Sequence, residues 1–341
     1  MGELFKTYLQ NHSLNGLSTI SKSDLHNHFG KGGNRKYIES ISNIKIEPPP
    51  ETFESLAHMD QWFKDNIKKY CVYLKRLEAA FGQAADDNIS VLAASFGLGE
   101  GNIIGDMEAG EFIYTMKSFN RKLAPNTILL PELAYDRACD TEKELTKLDE
   151  VLSYNWFKSI DINGNESVQS IKNFKKIYRK AKEYGLRLKA HVGEFGTADD
   201  VMEAVEELEL DEVHHGIAAA RSETVMKWLS KHKIQLNVCP TSNIMLRVVE
   251  RYSVHPIKKL YDYGIPVTIN TDDMLVFNQS VSQEYLNLFK SGLMSADELD
   301  NIRETGLKEI EYYKIRGINE YLYKGMEQHL LGEDNKPETI G

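Results

Sequence analysis

The 341-residue sequence predicts an α/β protein built as a (β/α)8 TIM barrel, with an inserted helical segment after the first strand and extra C-terminal helices. Three observations carry this prediction. Short β-rich runs alternate with charged amphipathic stretches along the chain. Eight such runs are found, the number that closes a parallel barrel. Polar and titratable residues gather at the same end of most of them. Strands alternating with helices need crossover connections, hence a parallel sheet. A doubly wound open sheet is the competing architecture.

The strand candidates, in order, are 22–28, 89–96, 127–133, 156–162, 186–192, 212–215, 234–238 and 266–271. The first carries a His-x-His pair, His26 and His28, whose i, i+2 spacing puts both rings on one face of a strand. Helical stretches are expected at 59–81, 168–184, 198–208 and 222–231, and the tail from Ser282 onward reads as largely helical. The long segment between the first two strands, with its proline cluster Pro48-Pro49-Pro50, reads as an insertion over the top of the barrel. No composition break or repeat divides the chain, so residues 1–341 are expected to form one domain.

Composition narrows the partners. The net charge is −10, which argues against nucleic acid as the main partner. No apolar run is long enough to cross a bilayer, and residues 1–13 lack a signal-peptide pattern. Cys71, Cys139 and Cys239 form no disulfide framework. Together these features predict a cytoplasmic protein.

The ends of the strands hold the chemistry. Strand one ends in His26-Asn27-His28, strand four in Asp161-Ile162-Asn163-Gly164-Asn165-Glu166, and strand five in His191-Val192-Gly193-Glu194. Strand six ends in His214-His215-Gly216, strand seven runs into Cys239-Pro240-Thr241-Ser242-Asn243, and strand eight ends in Asn270-Thr271-Asp272-Asp273. A His-x-His pair among 10 histidines is weak by itself; its company at one end of a barrel gives it meaning. Three imidazoles (His26, His28, His191) and one carboxylate of the Asp272-Asp273 pair suit Zn²⁺, with Fe²⁺, Co²⁺ or Mn²⁺ as alternatives. Such an ion lowers the pKa of bound water from 15.7 to about 7. Glu194, three residues past His191, is placed to carry a proton, and His215 to sit beside the nucleophile. His214, as the strand neighbour of His215, is expected to point away from the site, and Cys239 to be a packing residue.

The segments His26-Asn27-His28, Asp161 to Glu166, His191 to Glu194, His215-Gly216, Cys239 to Asn243 and Asn270 to Asp273 resemble, in order and spacing, the adenosine deaminase family of the metal-dependent amidohydrolase superfamily. The resemblance implies a hydrolase that deaminates an aminopurine nucleoside, adenosine or adenosine-like, at C6 through a zinc-activated hydroxide, releasing ammonia. It implies one zinc on His26, His28, His191 and Asp272. It makes Glu194, His215 and Asp273 the catalytic groups. Substrate-facing residues are then His28, Gly164 and Asp273, with Gly30 and Lys31 at the mouth. Asp161 is the only fourth-strand candidate for bridging a second metal, and a single metal is favoured.

One segment departs from the family pattern. Gly30 stands where the family has a polar residue that contacts the sugar, and Lys31 and Arg35 bring positive charge near the mouth. They raise the hypothesis of an anionic group on the substrate. Deamination of adenine, or of a modified or anionic adenine derivative, is the alternative activity. A catalytically silent nucleoside-binding protein is the alternative of another class.

Overall fold

The computed structural model describes residues 1–42, 44–97 and 109–309. Eight strands lie side by side in chain order, all parallel. They are β1 (Lys22–His28), β2 (Ile89–Gly97), β3 (Ile128–Asp136), β4 (Ser159–Asn163), β5 (Arg187–Val192), β6 (Glu212–His215), β7 (Gln235–Val238) and β8 (Val267–Ile269). With helices between them they form a (β/α)8 barrel. The open sheet is thereby set aside.

The seam between β8 and β1 is made by residues just past β8. The Asp272 N–H donates to the His26 carbonyl at 2.9 Å, and the His28 N–H donates to the Asp272 carbonyl at 3.3 Å. The Leu25 N–H donates to Asn270 Oδ1 at 2.7 Å. The buried Asp24 carboxylate accepts from the Thr271 N–H at 3.2 Å and from Asn27 Nδ2 at 3.0 Å. Barrel closure here depends on side chains as well as backbone.

Strand positions follow the expected pattern with three local differences. β3 runs on to Asp136, and β8 stops at Ile269. β4 begins at Ser159, because the Trp156 ring is buried beside Phe96 and Phe112, at 5.1 and 6.0 Å between centroids. The helix expected over 59–81 is broken into Leu56–Phe63, a π-helical turn at Lys64–Lys68, and Tyr73–Asp86. The Arg76 guanidinium occupies the break, donating to the Cys71 carbonyl at 2.6 Å. The stretch 168–184 starts with a 3₁₀ turn, Ile171–Phe174, before Lys175–Glu183. Ala198–Leu208 forms as expected behind a Thr197–Asp200 capping box, and Ser222 caps Glu223–His232.

The inserted segment carries its own small core. Ile38, Phe53, Met59, Phe63 and Ile67 pack with Leu275, Val276 and Phe277, which directly follow the strand-eight aspartates. The insertion therefore sits beside the end of the barrel that bears the polar residues. At the other end, the helix Ala296–Leu307 packs on β1 and β8, and Arg303 Nη1 donates to the Ser21 carbonyl at 3.0 Å. Tail residues past 309, expected to be helical, lie outside the described residues.

Candidate active site

The spacing of β1 aims both His26 and His28 at the barrel axis. There His28 Nε2 lies 3.2 Å from His191 Nε2 and 3.3 Å from Asp272 Oδ1, and His26 Nε2 is 3.8 Å from the same oxygen. The ligand atoms of His26, His28 and His191 all fall within 4.8 Å of one another. The far side of two rings is tied down. His26 Nδ1 is 3.2 Å from the Asn237 carbonyl, and His191 Nδ1 is 2.9 Å from Asp161 Oδ1. Those contacts place the ring proton on Nδ1 and leave the Nε2 lone pairs facing inward. Burial disfavours the charged imidazoles, taking His28 down to about 4 and lowering His191 as well. His26 Nε2 is buried with no hydrogen-bond partner among the described residues. A buried lone pair left without a donor, facing two more imidazoles and a carboxylate, is a chemical fit for a transition-metal cation. The N₃O donor set suits Zn²⁺. Asp161, considered above as a bridging acid, is the partner of the His191 ring.

Two non-glycine residues here adopt left-handed backbone, His215 at φ +63° and Asp272 at φ +59°. Such conformations cost roughly 1–3 kcal/mol each and persist where the surroundings enforce them. Ser242 Oγ holds Asp272 Oδ2 at 2.6 Å. The turn after β5 is held by Glu166, whose carboxylate accepts from the N–H groups of Gly193, Glu194 and Phe195 at 2.7, 2.9 and 2.8 Å. Glu194 Oε1 accepts from Asn243 Nδ2 at 3.2 Å, and Glu194 Oε2 lies 3.6 Å from His215 Nε2. Burial first, then the charges of Asp272 and Glu166, push the Glu194 carboxyl well above the ordinary carboxylate range, favouring its protonated form.

A cavity of about 420 Å³ opens on this cluster. His28, Gly30, Lys31, Gly164, Glu194 and Asp273 all line it. Lys31 Nζ lies 2.8 Å from Asp273 Oδ2 and 3.4 Å from Asp60 Oδ1. Arg35 does not face the cavity. It donates to Asn278 Oδ1 at 3.1 Å and to the Glu47 carbonyl at 3.2 Å. His214 departs from expectation too. Its ring is inside the barrel, 4.1 Å from the His26 ring, with Nε2 3.1 Å from Glu132 Oε1. The left-handed turn at His215 lets adjacent residues both face inward. Cys239 is buried as expected, with Sγ 3.3 Å from His26 Nδ1.

Asp60 and Asp136, which line the cavity, and Glu166, Asn243 and His255, which support the site, were not assigned from the sequence. Only Glu166 and Asn243 stood inside a recognisable motif. The others become neighbours of the site through tertiary contacts.

The adenosine deaminase family model matches residues 132–310. An adenosine/adenine deaminase, described as putative, from Treponema pallidum is 31% identical over 280 residues, covering 80% of this chain and 93% of its own. Among solved structures, a zinc-bound amidohydrolase from Burkholderia ambifaria superposes with a TM-score of 0.68 at 20% identity, over 86% of each chain. The N6-methyl-AMP deaminase of Arabidopsis thaliana does so at 0.69 and 19%, over 85% of this chain and 91% of that one. Barrel, donor cluster and sequence matches together define a metal-dependent hydrolytic deaminase acting on purines. The chain belongs to the adenosine deaminase family. No described helix is long and apolar enough to cross a membrane.

Proposed function

We propose that this chain hydrolyses the 6-amino group of an adenosine-like nucleoside, releasing ammonia, with one zinc ion held by His26, His28, His191 and Asp272. The observation that carries this reading is the 420 Å³ cavity lined by His28, His191 and Asp272 of the donor cluster together with Glu194. Leu56, Tyr73 and Asp136 also line this cavity, and its volume leaves room for a nucleoside. When bound, the ion supplies Lewis acidity, lowering the pKa of water from 15.7 to about 7.

The protein's own groups do the rest. Glu194, buried and protonated, gives its proton to a purine ring nitrogen and so draws electron density from C6. Asp273 faces the ring's other nitrogen, and Lys31 anchors its far oxygen. Gly164, at φ +89°, offers its backbone N–H to the base without a side chain in the way. His215 orients the attacking water. Among the described lining residues, Lys31 is the one cation, against Asp60, Asp136, Asp272 and Asp273, with Glu194 read as neutral. With Lys31 engaged by two carboxylates and Arg35 turned away, the cavity favours a neutral substrate over an anionic one.

Ammonia release by the zinc-loaded protein from adenosine, adenine and AMP tests this. Adenosine is expected to be turned over. AMP is expected to be roughly tenfold to a hundredfold worse in kcat/KM, since bringing a dianion beside carboxylates costs on the order of 1–3 kcal/mol. A preference for AMP or adenine would overturn the nucleoside reading, and no ammonia from any aminopurine would overturn deamination itself.

A further inference from the structure

A line of buried hydrogen bonds reaches the site from outside its lining. It starts at a backbone donor. The N–H of Ile257, at the first turn of a short helix, points to His255 Nδ1 at 3.1 Å. A backbone N–H can only donate, so His255 Nδ1 must accept. Burial takes His255 down to about 3, so the ring is neutral and its one proton is on Nε2. That nitrogen lies 3.2 Å from Asn243 Oδ1. With the amide oxygen receiving this proton, the orientation of Asn243 is set. Its Nδ2 group then has two protons to give, and two acceptors stand at 3.2 Å each: Glu194 Oε1 and His215 Nδ1. His215 Nδ1 therefore accepts, and the His215 proton sits on Nε2, the nitrogen 3.6 Å from Glu194 Oε2 and 3.7 Å from Asp272 Oδ2. His255, Asn243 and His215 are all within 2% of complete burial, so water does not compete for these bonds.

We propose that His255 and Asn243 are positioning residues that fix His215 as its Nε2–H tautomer and hold Glu194 in place. His215 then enters the reaction as a hydrogen-bond donor and not as a base. This rests on the reading of Glu194 and His215 as the site's working groups. It adds that their orientation is dictated by a peptide N–H on a helix that does not touch the substrate.

The test uses the zinc-loaded protein with ¹⁵N-labelled histidine, in which the two ring nitrogens report directly which one is protonated. In the wild type, His215 is expected to show its proton on Nε2. H255F, which keeps the ring but donates nothing to Asn243, and N243D, which replaces both donors by a carboxylate, are expected to raise the Nδ1–H form. Both should lower kcat by about tenfold to a hundredfold with KM within about twofold. H255Q, which can still present an N–H to Asn243, should recover most of the loss. Zinc content and thermal melting identify a variant that has not folded; tautomer and kinetics are then read from the other two. A wild-type His215 protonated on Nδ1 overturns the proposal, as do folded H255F and N243D proteins with unchanged tautomer and kcat. The nitrogen readout needs no turnover. A wild type without deaminase activity but with the expected tautomer removes the functional reading and leaves the relay standing.

Discussion

At the scale of single residues, the site depends on where protons sit. Glu194 is the clearest case: burial beside other carboxylates raises its carboxyl and favours the protonated form, the form that can give a proton away. E194Q preserves shape and the Asn243 contact but has no acidic proton. It should lower kcat by at least about a hundredfold with the zinc content unchanged, as read by metal analysis beside an ammonia assay; a fully active variant would remove Glu194 from the acid role. What was legible at this scale was whatever repeats with the strand period. His26 and His28 could be placed on one face from spacing alone. The left-handed backbone of His215 and Asp272 could not, because nothing in His-His-Gly or Thr-Asp-Asp requires it. That is why His214 was expected to face away and instead lies against the His26 ring. Lys31 and Arg35 show a related limit. Charge is visible in a sequence, but its partners are not, and one partner of Lys31, Asp273, is 242 residues away.

At the scale of elements, the strands deliver the side chains and the turns after them aim them. The turn after β5 shows how. Three successive N–H groups converge on the carboxylate of Glu166, which lies in the loop after β4. Glu166 thus ties the Glu194 turn to the wall that carries Gly164. E166A would leave those three donors to find water and would free Glu194 to move. A loss of stability on the order of 1–3 kcal/mol is expected, visible in urea unfolding, together with a fall in kcat larger than the change in KM. Unchanged kcat in a folded variant would mean that the turn holds its shape unaided. The strand ends that carry this chemistry were readable because polar and titratable residues gather at the same end of most of the β-rich runs. The break in the helix expected over 59–81 was not, since it depends on Arg76 reaching back to the Cys71 carbonyl.

At the scale of the molecule, the donor cluster joins distant parts of the chain: β1, β5 and the residue pair past β8. A cation gripped by all of them binds the folded state and not the unfolded one. Holding free zinc at a hundred times its dissociation constant should add about 2.7 kcal/mol of stability. Chelation should accordingly lower the melting temperature, and added zinc should restore it. An unchanged melting temperature on metal removal would argue that the cluster is not a metal site.

The seam gives that linkage a direction in time. Asp272 contributes its carboxylate to the cluster while its backbone bonds to both His26 and His28, so the residue that completes the donor set also fastens the last strand to the first. Leu25 waits for Asn270 across 245 residues of chain. A growing polypeptide emerging from the ribosome exposes His26 and His28 long before Asp272, the fourth member of the set, exists. Until residue 272 arrives, those imidazoles can hold an ion only loosely, and the first strand has an unsatisfied edge. High-affinity metal capture would therefore mark the moment the first and last strands meet, making the ion a report of barrel closure as much as a reagent.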